Sequence, residues 1–510
     1  MIDDLRRLED GADLETDVCV VGAGAAGIAL AREFLAGGTR VVLLESGGLQ
    51  PSDSEEALNQ GETAGMEPES LTDGRRRVLG GTTSLWAGQC LPAEPSVFEP
   101  REWVAHSGWP FDGDELEPFY RRAEALLQIE GEVYDERIWD AFGVERPAVD
   151  PGRFVHRFTV WCPQPHLGRL YRKELERSAS VRVLLHATAT RVRAAAGRFD
   201  AVTVRGPDGR TATVRARHGV LAGGAIENAR LLLASGLGND VVGRYFQDHP
   251  NSHSATIESD HAARLQEIYG LLYRRGLRYL PRLVLTPAAQ RSHQVLGCAA
   301  YPVFHFGDES AIEASRRVYR ALRAGQRPES LGRELGLIAR GAPRLAPVAY
   351  RRVVHRRAAR VRPEAVTLQT HAEQAPNPDS RVTLSQRRDR FGEPLPKVDW
   401  RLTELDHRTA EVMVDTVSAE FRRLGLGEVR AEPWLSGADW IGQVSDAFHH
   451  MGTTRIGNDP ATSAADPDGQ VRGVAGLYAA GASLFPAAGY VNPTLTLAAL
   501  AIRLADHLKA

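Results

Sequence analysis

Asp17–Glu45 reads DVCVVGAGAAGIALAREFLAGGTRVVLLE, and the fold turns on it. Val18, Cys19, Val20 and Val21 form the short apolar run of a strand buried on both faces. Gly22, Gly24 and Gly27 follow at G-x-G-x-x-G spacing, which assigns one glycine to the tight turn, one to close backbone approach to a pyrophosphate and one to helix–strand packing. The helix that follows, through about Leu35, aims its N-terminus at those phosphates. Val41 to Leu44 is a second strand ending at Glu45, an acid about 20 residues past the glycines that accepts hydrogen bonds from ribose hydroxyls. Strand, glycine turn, helix, strand and acid together predict dinucleotide binding.

The chain has 510 residues, more than one ordinary core, so two domains are expected. With 62 Lys+Arg against 65 Asp+Glu there is no global field to hold a polyanion or an acidic membrane. Neither nucleic acid nor membrane is therefore expected as a partner. No apolar run reaches the length of a membrane span, and residues 1–16 carry no apolar export region. A cytoplasmic enzyme is the expectation. The four cysteines lie far apart without a C-x-x-C pair, which argues against a disulfide framework, a zinc site or a dithiol centre. No metal site is expected.

Further glycine turns follow. GGTTSLWAG (80–88) sets Gly80 and Gly81 before Thr82, Thr83 and Ser84, suiting backbone laid against a flat or phosphorylated ligand. VLAGGAIENARLLL, from Val220, runs from a strand through Gly223 into a helix; Glu227, Asn228 and Arg230 read as cap and helix-face residues. Residues 255–430 alternate strand-like runs with polar turns, as a large antiparallel sheet does, around an Arg-rich helical stretch at 314–362. Residues 446–510 return to glycine turns and close on an amphipathic helix from about Thr496 to Leu508. The expected organisation is a discontinuous cofactor domain, 1–254 with 431–510, and a substrate domain, 255–430. In HHMGTTRIG (449–457) the two histidines of an extended backbone face opposite ways, so at most one serves a given site.

Taken together, VVGAGAAG with Glu45, GGTTSLWAG, VLAGGAIENARLLL, HHMGTTRIG, GLYAAGASLFPAAGYVNPTLT (476–496) and EQAPNPDSRVTLS (373–385) with VDWRL (398–402) resemble the glucose–methanol–choline (GMC) flavin oxidoreductases over nearly the whole chain, specifically their bacterial sugar-oxidising branch. The resemblance implies an α/β fold: a Rossmann-like FAD-binding domain built from both chain ends, plus an α+β substrate domain with a large antiparallel sheet flanked by helices. It implies FAD rather than NAD, with Glu45 on the adenosine ribose and Gly80–Ser84 beside the isoalloxazine. It extends the cofactor set to Ala25, Ala26, Ser46, Ala189, Gly223, Gly481, Ala482, Asn492, Pro493 and Thr494. The family's first catalytic histidine, three residues before the glycine of H-x-x-G-T, maps to His449; the second position, His or Asn, maps to Asn492.

Those residue types suit alcohol oxidation. A neutral imidazole, with a pKa near ~6.5, takes the hydroxyl proton, so turnover is expected to fall as pH drops through that value. Asn492 donates to the same oxygen as charge develops. Some sugar-oxidising relatives bind flavin covalently through a His just before the Trp of the GG…W motif; that position is Leu85 here, so non-covalent FAD is expected. Gln369, His371 and Glu373 alternate along one strand and supply polar groups for a carbohydrate. The implied substrate is a sugar or sugar-containing metabolite, with an aminoglycoside primary alcohol in antibiotic biosynthesis as one such role. Asp112, Asp114 and Glu117 could serve a cationic aminosugar or a helix N-terminus. The electron acceptor is O2 or another oxidant. The competing readings are a pyridine-nucleotide dehydrogenase and a non-catalytic flavin-binding protein.

Overall fold

The computed structural model of the protein describes every residue except 67, 69, 308, 309, 324–326, 329, 359 and 438, and the side chains of 323 and 344. The architecture is mixed α/β. Ala12–Val21 and Val41–Leu44 pair in parallel, Val18 opposite Val41. Val181–Leu185 extends this sheet on one side, followed by Ile2–Asp4; Thr211–Leu221 joins on the other, all in parallel. Val18, Cys19, Val20, Val41, Leu43 and Leu44 are almost fully buried. Such a side chain contributes about 1.5–3 kcal/mol when removed from water, which is why the apolar run forms a central strand.

The tail of the chain completes this sheet. Leu477–Ala479 runs parallel to Gly219–Leu221, on the side that the antiparallel pair Arg198–Arg205 and Thr188–Ala195 occupies further back. Helix Thr494–Lys509 then packs on helix Ala25–Arg32. The carboxyl ends of these parallel strands carry the glycine turns, the position at which open α/β sheets bind ligands.

The second sheet is antiparallel: Glu428–Ala431, Asn251–Glu258, Ala365–Ala372, Cys298–His305, Leu277–Leu285, Phe154–Trp161 and Gln89–Cys90, in that order. It draws on residues either side of the divisions expected at 254/255 and 430/431. Phe154–Trp161 and Gln89–Cys90 come from deep inside the first segment, because an antiparallel edge recruits a strand by hydrogen-bond register and not by closeness in the chain. The Arg-rich stretch holds helices Ala311–Arg323, Leu331–Arg340 and Ala342–Val353; its positions 324–326, 329 and 359 lie outside the described residues. Among the described residues no helix is long and apolar enough to cross a membrane.

Candidate active site

The first glycine turn divides its work residue by residue. Gly22 has φ +104°, and a Cβ there would lie 2.6 Å from the Ala222 carbonyl oxygen. A Cβ on Gly27 would lie 1.9 Å from the Gly22 carbonyl oxygen, so only glycine lets the helix sit this close to the strand. Gly24 differs: it caps helix Ala25–Arg32 with φ −80°, and a Cβ there meets nothing within 4 Å. Space opens beside Gly24 where unpaired helix N–H groups converge. The other glycine turns close around it. Gly80 N–H donates to the Ala23 carbonyl at 2.9 Å, and a Cβ on Gly81 would sit 2.9 Å from Gly24 Cα. Gly481, at φ +93°, faces Ala26, and Ala482 follows it into a short 3-10 turn. Gly223 N–H donates to Asn228 Oδ1 at 2.8 Å, so Asn228, inside helix Ala225–Ser235, ties its first turn back to the glycine turn.

Around this cradle the expected polar residues divide. Thr83 is buried, accepting from Leu167 N–H and donating to the Gly80 carbonyl, while Thr82 is exposed and Ser84 donates back to Gly81. Ala189 lies on Thr188–Ala195, whose neighbour Ala187 donates its N–H to the Glu45 carbonyl. Glu45 is buried, accepting from Ala23 N–H at 3.1 Å and Gly47 N–H at 2.9 Å, with Ser46 Oγ at 3.5 Å. Burial outweighs those bonds and pushes its pKa up to about 7. A glycine-walled space at a helix N-terminus, with an acid at the end of the second strand, fits the pyrophosphate and ribose of a dinucleotide. These residues would hold FAD.

His449 and Asn492 meet: Asn492 Nδ2 lies 3.4 Å from His449 Nε2. The loop carrying His449 is tied to the cradle where Gly452 N–H donates to the Ala482 carbonyl at 3.2 Å. Asn492 precedes Pro493 and helix Thr494–Lys509. The Asp248 carboxylate holds the first loop, accepting backbone N–H groups from His249, Ala447 and His449 at 2.6–3.1 Å. Burial and the neighbouring Asp446 nevertheless push Asp248 up to about 8. His450 turns the other way, its ring 5.6 Å from Phe246 and Nε2 3.8 Å from Asp248 Oδ2.

Two further histidines crowd His449. His249 Nδ1 lies 2.8 Å from His449 Nδ1, and the His371 ring centroid is 5.8 Å from that of His449. His371 Nδ1–H donates to the Tyr490 carbonyl at 2.8 Å. Burial, then the Arg282 charge, pushes His449 down to about 3 and His371 well below the usual imidazole range. The expectation of titration near ~6.5 is therefore corrected: His449 is neutral throughout the ordinary pH range. Arg282 is almost fully buried, its Nη2 donating to Gln89 Oε1 at 2.6 Å and to Asn492 Oδ1 at 3.4 Å.

Sheet register explains the remaining contacts. Tyr301 is opposite Gln369, Ala299 is opposite His371, and Val284 is opposite Ala299. Residues two apart share a face, so Arg282, Tyr301, Gln369 and His371 stand together. Gln369 and His371 are buried, not on a solvent-facing surface, and Gln369 Nε2 donates to Asn251 Oδ1 at 2.6 Å. Glu373 leaves the expected substrate set. It lies past the end of Ala365–Ala372, where Arg101 Nη1 donates to it at 2.8 Å and Gly297 N–H at 3.1 Å, and that buried pair uses its charge. Asp112, Asp114 and Glu117 line a separate surface cleft of about 940 Å³ whose walls include neither His449 nor Asn492. Sequence reasoning missed Arg282, His249 and Gln89. The DHP at 248–250 was the one local signal, an acid and a histidine at a strand entry.

Comparison with known proteins converges on one family. Two sequence models described as GMC oxidoreductase match residues 170–251 and 376–501. The chain is 27% identical over 543 residues to paromamine 6'-oxidase of Streptomyces fradiae, covering 96% of this chain and 90% of that one. It is 28% identical over 304 residues to C-glycoside 3-oxidase of Arthrobacter globiformis, covering 58% of this chain but only 46% of the relative's own length. Formate oxidase of Aspergillus oryzae shares the fold, with a TM-score of 0.58 at 17% identity, over 98% of this chain and 99% of that one. The chain belongs to the GMC oxidoreductase family.

Proposed function

We propose that the protein oxidises an alcohol of a sugar or sugar-containing metabolite to a carbonyl, using non-covalent FAD held by the glycine cradle. When bound, FAD supplies the acceptor for the hydride that leaves the alcohol carbon. His449 Nε2 takes the hydroxyl proton, and burial keeps that nitrogen unprotonated and so able to accept it. Asn492 Nδ2 donates to the same oxygen as negative charge grows there, a contribution of about 3 kcal/mol for a preorganised donor. The carrying observation is the 3.4 Å meeting of His449 and Asn492, brought from separate stretches to one point beside the cradle. Leu85 cannot bond to flavin, which supports release of FAD on denaturation.

The relatives' names divide between C-glycosides and an aminoglycoside. A neutral glycoside suits this site better. Its fixed charge is the cation Arg282, which has no carboxylate partner among the described residues, and Glu373 is paired with Arg101. An ammonium beside the reacting carbon would find repulsion. The deciding experiment is anaerobic reduction of the flavin by a panel of sugars, C-glycosides and aminoglycosides, followed by air. Bleaching by a glycoside supports the reading, and prompt reoxidation in air makes O2 the acceptor. Bleaching by none of the panel refutes it, and a colourless protein that reduces NAD instead makes it a pyridine-nucleotide dehydrogenase.

A further inference from the structure

Arg282 is a buried cation that no carboxylate neutralises among the described residues, its guanidinium 5.2 Å over the Tyr301 ring. An unpaired charge removed from water is costly, so what it holds in place matters. Guanidinium is a donor only. Where Arg282 Nη2 meets Asn492, the amide must therefore present Oδ1, which turns Nδ2 toward His449 Nε2. An amide nitrogen also only donates, so His449 Nε2 must accept and carry no proton. A neutral His449 then holds its proton on Nδ1 and donates it to His249 Nδ1 at 2.8 Å, leaving the proton of His249 on Nε2. One obligate donor thus sets the polarity of the three side chains that follow it.

We propose that Arg282 is a positioning residue: by fixing the amide of Asn492 it locks His449 in the tautomer without a proton on Nε2, the nitrogen that acts as base once a substrate hydroxyl displaces the Asn492 N–H from its lone pair. Its part in catalysis rests on the oxidation proposed above; the tautomer does not. Gln89 Oε1 holds the other side of Arg282 Nη2 and keeps the donor aimed.

The test is long-range proton–nitrogen correlation NMR on flavin-loaded protein with nitrogen-15 in its histidine rings, the His449 signal identified by its loss in His449→Gln. Wild type and Arg282→Lys, which keeps a donor, should show a bare Nε2 and a protonated Nδ1. Arg282→Met frees the amide to turn over: it should show mixed tautomers, with the His449 protonation midpoint moved up toward ~6.5. Asn492→Asp, which can only accept, should place the proton on Nε2, and it covers the case in which Arg282→Met does not fold. Flavin reduction by the best sugar should slow by about 10- to 100-fold in Arg282→Met, the loss of a charge-assisted bond, and only a few-fold in Arg282→Lys. A wild-type His449 protonated on Nε2, a folded Arg282→Met protein with the wild-type spectrum, or an Asn492→Asp protein with the wild-type spectrum overturns the proposal. If no sugar reduces the flavin while these spectra behave as expected, the oxidation reading fails and the positioning inference stands.

Discussion

Two alanine substitutions three residues apart in the first glycine turn should fail in opposite ways. At Gly27 the new Cβ would lie 1.9 Å from the Gly22 carbonyl oxygen and 3.3 Å from Leu43 Cδ1. The first contact is roughly 1.4 Å inside the ~3.3 Å at which carbon meets oxygen. Neither partner of that clash is a flexible side chain, so helix Ala25–Arg32 must move off the sheet, costing about 3 kcal/mol or more, the upper end of overpacking. At Gly24 the new Cβ meets no protein atom within 4 Å and φ is −80°, so the apoprotein should lose no more than about 1 kcal/mol of cap stability. The methyl instead fills the space read here as the pyrophosphate's. FAD affinity should fall about tenfold or more, each tenfold being ~1.4 kcal/mol. Thermal melting of the apoproteins and flavin absorbance after reconstitution separate the two. A Gly24→Ala protein that binds FAD like wild type, or a Gly27→Ala apoprotein that melts like wild type, would refute this division of labour.

Further outcomes follow from the site. His449→Ala should lower kcat by about 10²–10⁴, the range for a positioned general base, and His450→Ala far less, both with flavin retained; equal small losses would remove His449 from the mechanism. Glu373→Gln should leave the buried Arg101 guanidinium without its counter-charge and cost about 3 kcal/mol, seen as a lower denaturant midpoint at unchanged KM; a raised KM at unchanged stability would return Glu373 to the substrate. Flavin should stay in solution when the denatured chain is filtered off, and yellow retained with the chain would mean a covalent bond. The pH dependence has a definite sign. A base held at about 3 loses activity only as pH falls toward that value, so kcat/KM should be flat with respect to His449 from pH 5 to 8, and an acid limb near ~6.5 would show that His449 titrates as an ordinary imidazole.

What the sequence made legible was local. Gly22, Gly24 and Gly27 announce their conformations within six residues, and the period of two put Gln369 and His371 on one face before any sheet was known. Glu373 broke that pattern because the strand ends at Ala372 and the carboxylate turns to Arg101, 272 positions away. Arg282 could not be found this way. RLVLT (282–286) reads as one more strand, and only the register with Cys298–His305 and Ala365–Ala372 brings that arginine beside His371. His249 was hidden for the same reason: its partner His449 is 200 positions on. The imidazole pKa is not legible in the sequence because composition carries no information about burial or about which cation lies near.

These omissions concern the same property. A base and a donor are identified by residue type, but the state in which they wait is set by neighbours brought from other strands. Three imidazoles held neutral by burial, and one guanidinium without a carboxylate partner among the described residues, face the reacting oxygen, and the imidazoles do not change their charge across the ordinary pH range. Negative charge growing on a substrate oxygen at Asn492 therefore meets a dipole and a cation that are already oriented, and reorganisation at the moment of reaction is small. A carboxylate in place of Arg282 would remove both features at once: it would hold a proton on His449, and it would accept where Asn492 needs a donor facing its oxygen.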